Sequence, residues 1–422
     1  MKLFALITFI AMYILMSRFL NRRVWIVLAA AVLFLITGVM PWREIPSAIN
    51  WNVLLMIGGT MLLVDFFIAS KMPNRIAEIL LDKAGNVMWV TIFMSLFSGA
   101  VSAFIDNVAT VLMVAPVGLA ICKKLKLSPV PMILAIAVSS NLQGAATLVG
   151  DTTSIMLGAY AKMDFTDFFW MRGHPGMFFA VELGALATVP IMMILFRKDK
   201  EPVSSENKTE VEDVLPSILL VGVVVALIIA SFFKNKPDVT NGVICCLFAA
   251  AAVIHNLIRS HSSDQAKHAL KSVDYETLVL LAALFIVIAG ITEVGLIDDI
   301  ATLIAGAGSS NLFLLYTIIV WVSVLFSAFI DNIPYVATML PVLAGITAKL
   351  QIEPYVLYFG LLCGATLGGN LTPVGASANI TAVGMLKKNG YEVGFKDFMR
   401  IGVPFTLAAV VVGYVFIWFV WR

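Results

Sequence analysis

Apolar runs near the length of a bilayer crossing recur from one end of the chain to the other, separated by short polar or basic stretches. Spans are expected at Leu3–Leu15, Val24–Met40, Trp51–Ala69 and Pro175–Phe196, then at Leu215–Phe233, Asn241–Leu257, Leu278–Val294 and Ile401–Trp421. The first run is read as a span and not as a cleaved leader. No small-residue cleavage site follows it, and a basic cluster leads straight into the next run. Lys71–Gly85 sets Ile76, Ile79 and Leu80 on one side and Arg75, Glu78 and Asp82 on the other, which predicts a helix lying along the interface; Ile297–Ala307 predicts a second.

Four stretches break this pattern. Residues 88–122 and 312–349 are apolar at both ends, with a polar hexamer, SAFIDN, near the middle of the first (Ser102–Asn107) and again within the second (Ser327–Asn332). In the first, each arm is short for a crossing and both ends are basic, so a re-entrant hairpin is preferred over two short spans. Residues 130–162 and 354–386 carry polar, glycine-rich centres, Ser139–Ser154 and Gly364–Ile380. Such backbone at membrane depth is tolerated only where it lines a cavity or is buried in protein, so both are read as broken helices, the first broken around Gly144–Gly150.

The hexamers stand 225 positions apart, and the register holds well beyond them. Pro116 meets Pro341, Pro129 meets Pro354, Gly144 meets Gly369, Thr147 meets Thr372 and Gly150 meets Gly375; upstream, Trp51–Leu80 aligns with Tyr275–Ile304 at 224. The chain is an internal duplication. Its domains are expected at 1–196 and 215–422, joined by a hydrophilic linker at 197–214 whose mixed charge suggests mobility. The fold class that follows is an all-α polytopic membrane protein with about ten crossings, two re-entrant hairpins and two broken helices.

Charge orients it. The loops at 18–23, 70–86, 123–126, 197–213, 258–273 and 387–400 hold 20 of the 28 lysines and arginines, which makes their face cytoplasmic and leaves both termini outside, in a plasma (inner) membrane. On that count the first hairpin opens from the cytoplasm and the second from outside, so the halves are inverted repeats, the usual plan of secondary transporters. The 422 residues are 60% hydrophobic and 13% charged, and a net charge of +2 gives no reason to expect a nucleic-acid partner. The four cysteines show no metal spacing and are read as packing residues.

Four polar elements are expected to converge: tip one with Asp106, Asn107 and Thr110, break one with Asn141, Thr147, Gly150, Asp151, Thr152 and Thr153, tip two with Asp331 and Asn332, and break two with Asn370, Thr372, Gly375, Ser377 and Asn379. A carboxylate at lipid depth costs about 2.5–3.5 kcal/mol and is a site hypothesis by default. Helix ends there expose free N–H and C=O groups that attract ions. Asp106 and Asp331 are read as site residues that can also cap; Asp151 stands equally as site residue or helix cap. Asp65, Glu182 and Glu293 are read as structural or interfacial acids, and Trp418 and Trp421 as interfacial anchors.

The stretches Ser102–Pro116 (SAFIDNVATVLMVAP), Asn141–Ser154 (NLQGAATLVGDTTS) and Gly364–Ile380 (GATLGGNLTPVGASANI) resemble the ion transporter superfamily, in particular arsenite-efflux permeases, P-protein-like members and D-type sodium–proton antiporters, permeases with a citrate-transporter-like domain. The resemblance implies an elevator-like scaffold and transport domain, often in a homodimer, with sodium or solute held at the tips, here Asp106, Asn107, Asp331 and Asn332. Related dicarboxylate carriers have Ser-Asn-Thr at each tip. This chain keeps only the asparagine, in Asp106-Asn107-Val108 and Asp331-Asn332-Ile333.

Three carboxylates and no lysine or arginine are expected at the midplane, which suits a cation, a proton or a neutral solute better than a multiply charged anion. The leading expectation is a secondary-active transporter, not an enzyme, coupling a small inorganic solute (arsenite or a related metalloid, or sodium) to H+ or Na+. The alternative is a symporter of organic or inorganic anions. No cofactor is implied beyond the coupling ion. The chain has no phosphate-binding loop of its own, which leaves a separate pump ATPase as an optional partner.

Overall fold

The computed structural model describes residues 1–19, 22–202, 209–233, 235–308 and 311–422. Helices α1 (Lys2–Arg18), α2 (Arg23–Ile36), α3 (Ile45–Ala48), α4 (Trp51–Ala69) and α5 (Met72–Asp82) lead to α6 (Val87–Ser102) and α7 (Asn107–Leu125), which flank the first SAFIDN. The first broken helix is α8 (Val130–Gly144) and α9 (Thr152–Ala161); a two-residue antiparallel ribbon, β1 (Trp170–Met171) and β2 (His174–Pro175), precedes α10 (Met177–Leu195).

The order then repeats. Helices α11 (Leu215–Ser231), α12 (Thr240–Ser260), α13 (Asp264–Ser272), α14 (Tyr275–Glu293) and α15 (Leu296–Gly308) lead to α16 (Leu312–Ser327) and α17 (Asn332–Leu350), which flank the second SAFIDN. The second broken helix is α18 (Tyr355–Leu362) and α19 (Ser377–Lys388), and α20 (Phe395–Trp421) ends the chain. Among the described residues, seven helices are long and apolar enough to cross a membrane, and shorter apolar helices accompany them.

Local sequence explains why both halves fold alike. Asn50 and Asp274 cap α4 and α14, Asn86 and Asn311 cap α6 and α16, and Asp106 and Asp331 cap α7 and α17, each through a side-chain oxygen on the first-turn N–H groups. Lys126 and Gln351 end α7 and α17 in the same left-handed conformation, with φ of 54° and 53°. Every one of these pairs is 224 or 225 positions apart.

The broken helices form the centre. From Met132 to Gly144, α8 is buried on all sides, and so is α18 from Val356 onward. By contrast α11 and α12 turn Val221, Val225, Ile229, Leu247, Ile254 and Ile258 outward, as a lipid-facing surface requires. Trp418 and Trp421 are packed, not free: Trp418 stacks on Tyr316, and Trp421 lies edge-on to Phe359 and donates its indole N–H to the Pro175 carbonyl.

Two expectations need correction. The loop at 258–273 contains a helix, α13, whose His268 reaches Asp65 of α4. The linker was expected to be mobile, yet its described ends are bonded. Asp199 and Glu201 accept from Met88 and Val87, Glu212 pairs with Lys71, and Asp213 takes His255 and Arg259. These polar ends find partners on α5, α6 and α12, which composition alone does not reveal; residues 203–208, like 20–21 of the first basic loop, lie outside the described residues.

Candidate functional site

Tip one and break one meet in a buried polar cluster. Asn107, the first residue of α7, donates its Nδ2 to Asn141 Oδ1 at 2.9 Å and to Asp151 Oδ1 at 3.4 Å. Ser140 closes the same turn by donating to the Asn107 carbonyl at 3.0 Å. The other oxygen of Asp151 accepts from Thr153, whose hydroxyl also lies 2.8 Å from that of Thr366. Asp106 spends one oxygen, Oδ1, on the N–H groups of Val108 and Ala109 at 3.0 and 3.2 Å.

The second half contributes through a loosened helix. After α18 the backbone widens into a π turn at Cys363–Leu367 and tightens to a 3-10 turn at Gly369–Leu371. Carbonyls in this stretch turn sideways to side chains: Thr366 O accepts from Asn141 at 2.8 Å and Gly369 O from Asn379 at 3.2 Å. Asn370 bonds in both directions, accepting from Asn141 at 3.1 Å and donating to the Val138 carbonyl at 2.9 Å. At tip two, Asp331 caps α17 through Ile333 N at 3.1 Å and accepts from Ser377 at 3.0 Å.

Each break is clipped to its tip in the same way. The hydroxyls of Thr147 and Thr372 donate to the carbonyls of Ala103 and Ala328. Gly150 and Gly375 press against the same turns. A Cβ on Gly150 would lie 2.5 Å from Ser102 O, and one on Gly375 2.6 Å from Ser327 O, so only glycine fits either place.

Two cavities approach this centre from positions that correspond in the two halves. One, of 500 Å3, is lined by Asp274 and Glu276 at its α14 side and by Arg23, Asp106, Thr152 and Ser377. The other, of 330 Å3, is lined by Asn50 and Asn52, the equivalents of Asp274 and Glu276, and by Leu148, the equivalent of Pro373, but not by Asp331, the equivalent of Asp106. A void of 10 Å3, about one water molecule or a small ion, adjoins Asp106, Gly150, Asp151 and Thr152.

Asp106, Asn107, Asn141, Asp151, Thr152, Thr153, Asn370, Ser377 and Asn379 thus lie around the breaks and tips, with Asp331 bonded to Ser377. Thr147, Thr372, Gly150 and Gly375 hold the backbone, and Thr110 donates to its own tip, to Ile105 O at 3.4 Å. Asn332 is buried, and its Nδ2 has no partner among the described residues. Position 376, which corresponds to Asp151, is Ala376 and offers no acceptor side chain.

One expectation is overturned. Arg23 of α2 forms an ion pair with Asp331, so the carboxylates do have a basic neighbour. Arg23 reads as one of a run of loop charges, and its partner lies 308 positions away; nothing in the local pattern signals the pair. Thr366 was also missed, although the register marks it as the equivalent of Asn141.

Residues 11–364 match the family described as Citrate transporter. The chain belongs to the citrate transporter family. It is a multi-pass membrane transporter of that family, in line with the ion transporter resemblance of its polar stretches. Among relatives, an uncharacterised transporter of Mycobacterium bovis is 29% identical over 99% of this chain and 98% of its own length. A 46 kDa membrane protein of Mycobacterium leprae is 30% identical over 88% of this chain and 87% of that protein. The human P protein is 28% identical over 90% of this chain and 54% of that protein. Among solved structures, the Alcanivorax borkumensis YdaH transporter, of unusual topology, superposes with a TM-score of 0.60 at 12% identity, over 89% of this chain and 86% of that one. Neisseria gonorrhoeae MtrF superposes with a TM-score of 0.56 at 15% identity, over 92% and 83%. At those identities the likeness is one of fold.

Proposed function

We propose that this citrate transporter family member is a secondary-active transporter working by elevator-like alternating access, and that Asp106 binds its coupling ion, H+ or Na+. The observation that carries this is the inequality of the two corresponding cavities: one is lined by Asp106, while its counterpart is not lined by Asp331. A single molecule with one access route open and its equivalent shut is what alternating access requires of each end state.

The inverted, re-entrant arrangement has support from the bonds at helix ends. On one side, Lys123 at the end of α7 reaches Asn389, and the start of α6 is bonded to the linker. On the other, Lys349 at the end of α17 is bonded to Asp298 of α15, the helix just before α16, while Lys2 pairs with Asp299 and Arg172 with Glu353. Each set joins loops that the charge count assigns to one face, the first set cytoplasmic. On that reading the 500 Å3 cavity is the inward-facing one.

The cargo we favour is a small cation or neutral inorganic solute, sodium or arsenite and its relatives, because Asp106, Asp274 and Glu276 outnumber Arg23 around the cavity. An anion symporter is the second reading; the Arg23 guanidinium, the unpartnered Asn332 Nδ2 and the citrate transporters of the family favour it. A thermal-shift screen of purified protein against arsenite, sodium, lithium, citrate, succinate, phosphate and sulfate separates the two, since a ligand that binds the native state raises its apparent stability. Stabilisation by arsenite, sodium or lithium, with citrate, succinate, phosphate and sulfate silent, is expected; stabilisation by the anions alone would reverse the choice. We further propose a homodimer, and a separate pump ATPase remains an optional partner tested by co-purification.

A further inference from the structure

The two tips have the same sequence and different electrostatics. At tip one, among the described residues, Asp106 bonds only backbone N–H groups, all through Oδ1, and Asp106 lines both the large cavity and the ion-sized void. At tip two, Asp331 is buried and fully engaged: Oδ1 accepts from Ile333 N, and Oδ2 accepts from the Ser377 hydroxyl and the Arg23 guanidinium. Arg23 comes from outside the tip and the break. It is the first residue of α2, a helix that packs on α14. In the corresponding cavity of the other half, beside Asn50 and Asn52, the first turn of α12 brings Asn241 and not an arginine.

We propose that the Arg23 guanidinium is a built-in cation at the second tip, filling at Asp331 the place that an exchangeable cation fills at Asp106, so that the two like tips bind one coupling cation between them and not two. The proposal rests on the reading of Asp106 as an ion-binding carboxylate. Its chemistry is that of a buried ion pair. Arginine stays protonated in any accessible environment, so its charge is permanent where a bound ion's is not. Removing one member of such a pair leaves an uncompensated buried charge, whereas removing both does not. The other charged groups facing Arg23, Asp274 and Glu276, line the cavity mouth and keep the guanidinium in a net acidic surrounding.

The test compares wild type, Arg23→Gln, and the double variant Arg23→Gln/Asp331→Asn, full-length and in detergent. Melting temperature is followed against sodium chloride, balanced with choline chloride, at pH 6 and pH 9. Arg23→Gln is expected to melt about 5 °C or more below wild type at pH 9 without sodium, as an unpaired buried carboxylate demands. Sodium, or the move to pH 6, should restore it, with a sodium titration steeper than that of wild type because Asp331 now recruits a second cation. The double variant should melt near wild type without added sodium. Two results would overturn the proposal: an Arg23→Gln protein whose stability and sodium curve match wild type, or a loss that persists in the double variant and under saturating sodium at pH 6. If wild type itself responds to neither sodium nor pH, the coupling role of Asp106 fails, while the comparison of single and double variants still decides the role of Arg23.

Discussion

Asn141 donates to Asn370 across the boundary between the halves, and both amides also bond backbone on the far side of it. Asn141 Nδ2 donates to Asn370 Oδ1 at 3.1 Å and to the Thr366 carbonyl at 2.8 Å, and Asn370 Nδ2 donates back to the Val138 carbonyl at 2.9 Å. Each amide bonds backbone of the other broken helix, so the two breaks stabilise each other. Asn141→Ala or Asn370→Ala should each cost about 1–3 kcal/mol, because each removes buried hydrogen bonds between the two broken helices. The double variant should cost less than the sum, since both changes remove the same bond. Thermal unfolding of the four proteins checks this, and strict additivity would show that the two amides act independently.

Asp106→Asn should abolish ion-coupled flux while leaving the fold intact. Asparagine caps a helix about as well as aspartate, so the change in stability should stay within about 1 kcal/mol. Flux in proteoliposomes and melting temperature measured together make the test; normal flux would remove this carboxylate from the mechanism.

Gly150→Ala and Gly375→Ala should both be severely destabilising. An added Cβ at Gly150 would lie 2.5 to 2.6 Å from the carbonyls of Ser102, Ala103 and Gly144, and one at Gly375 2.5 to 2.9 Å from those of Gly369, Ser327 and Ala328. Overpacking of this kind costs about 1–3 kcal/mol or more, and backbone on every side leaves no flexible side chain to give way. Expression level and melting temperature report it; wild-type values for either variant would mean that the tips can shift away from the breaks.

Single cysteines placed in a cysteine-free background test the orientation. Position 210 in the linker should react with an impermeant thiol reagent only from the cytoplasm, and position 172 only from outside. Reaction of position 210 from outside would reverse the topology and with it the inward-facing assignment of the 500 Å3 cavity.

Unlike α13, most of the long helices and the register that repeats them were legible in the amino-acid pattern. Those depend on local pattern: apolar runs of bilayer length, an Asp or Asn before each capped helix, and glycines where backbone must meet backbone. The same register that aligns SAFIDN with SAFIDN also carries Asn50 to Asp274 and Lys126 to Gln351, and both members of each pair do the same work. Break one and tip one were legible too, because a polar cluster at lipid depth must be satisfied within the protein.

How the like elements differ depends on packing between distant helices. Identical tips acquire different electrostatics because α2 brings Arg23 to Asp331, and Asn332 lacks the acceptor that Asp151 gives Asn107 because Ala376 stands in its place. The linker ends are likewise held by partners on α5, α6 and α12. Periodicity and capping act over a turn or two of helix, whereas a pairing between residues 308 positions apart depends on where whole helices pack.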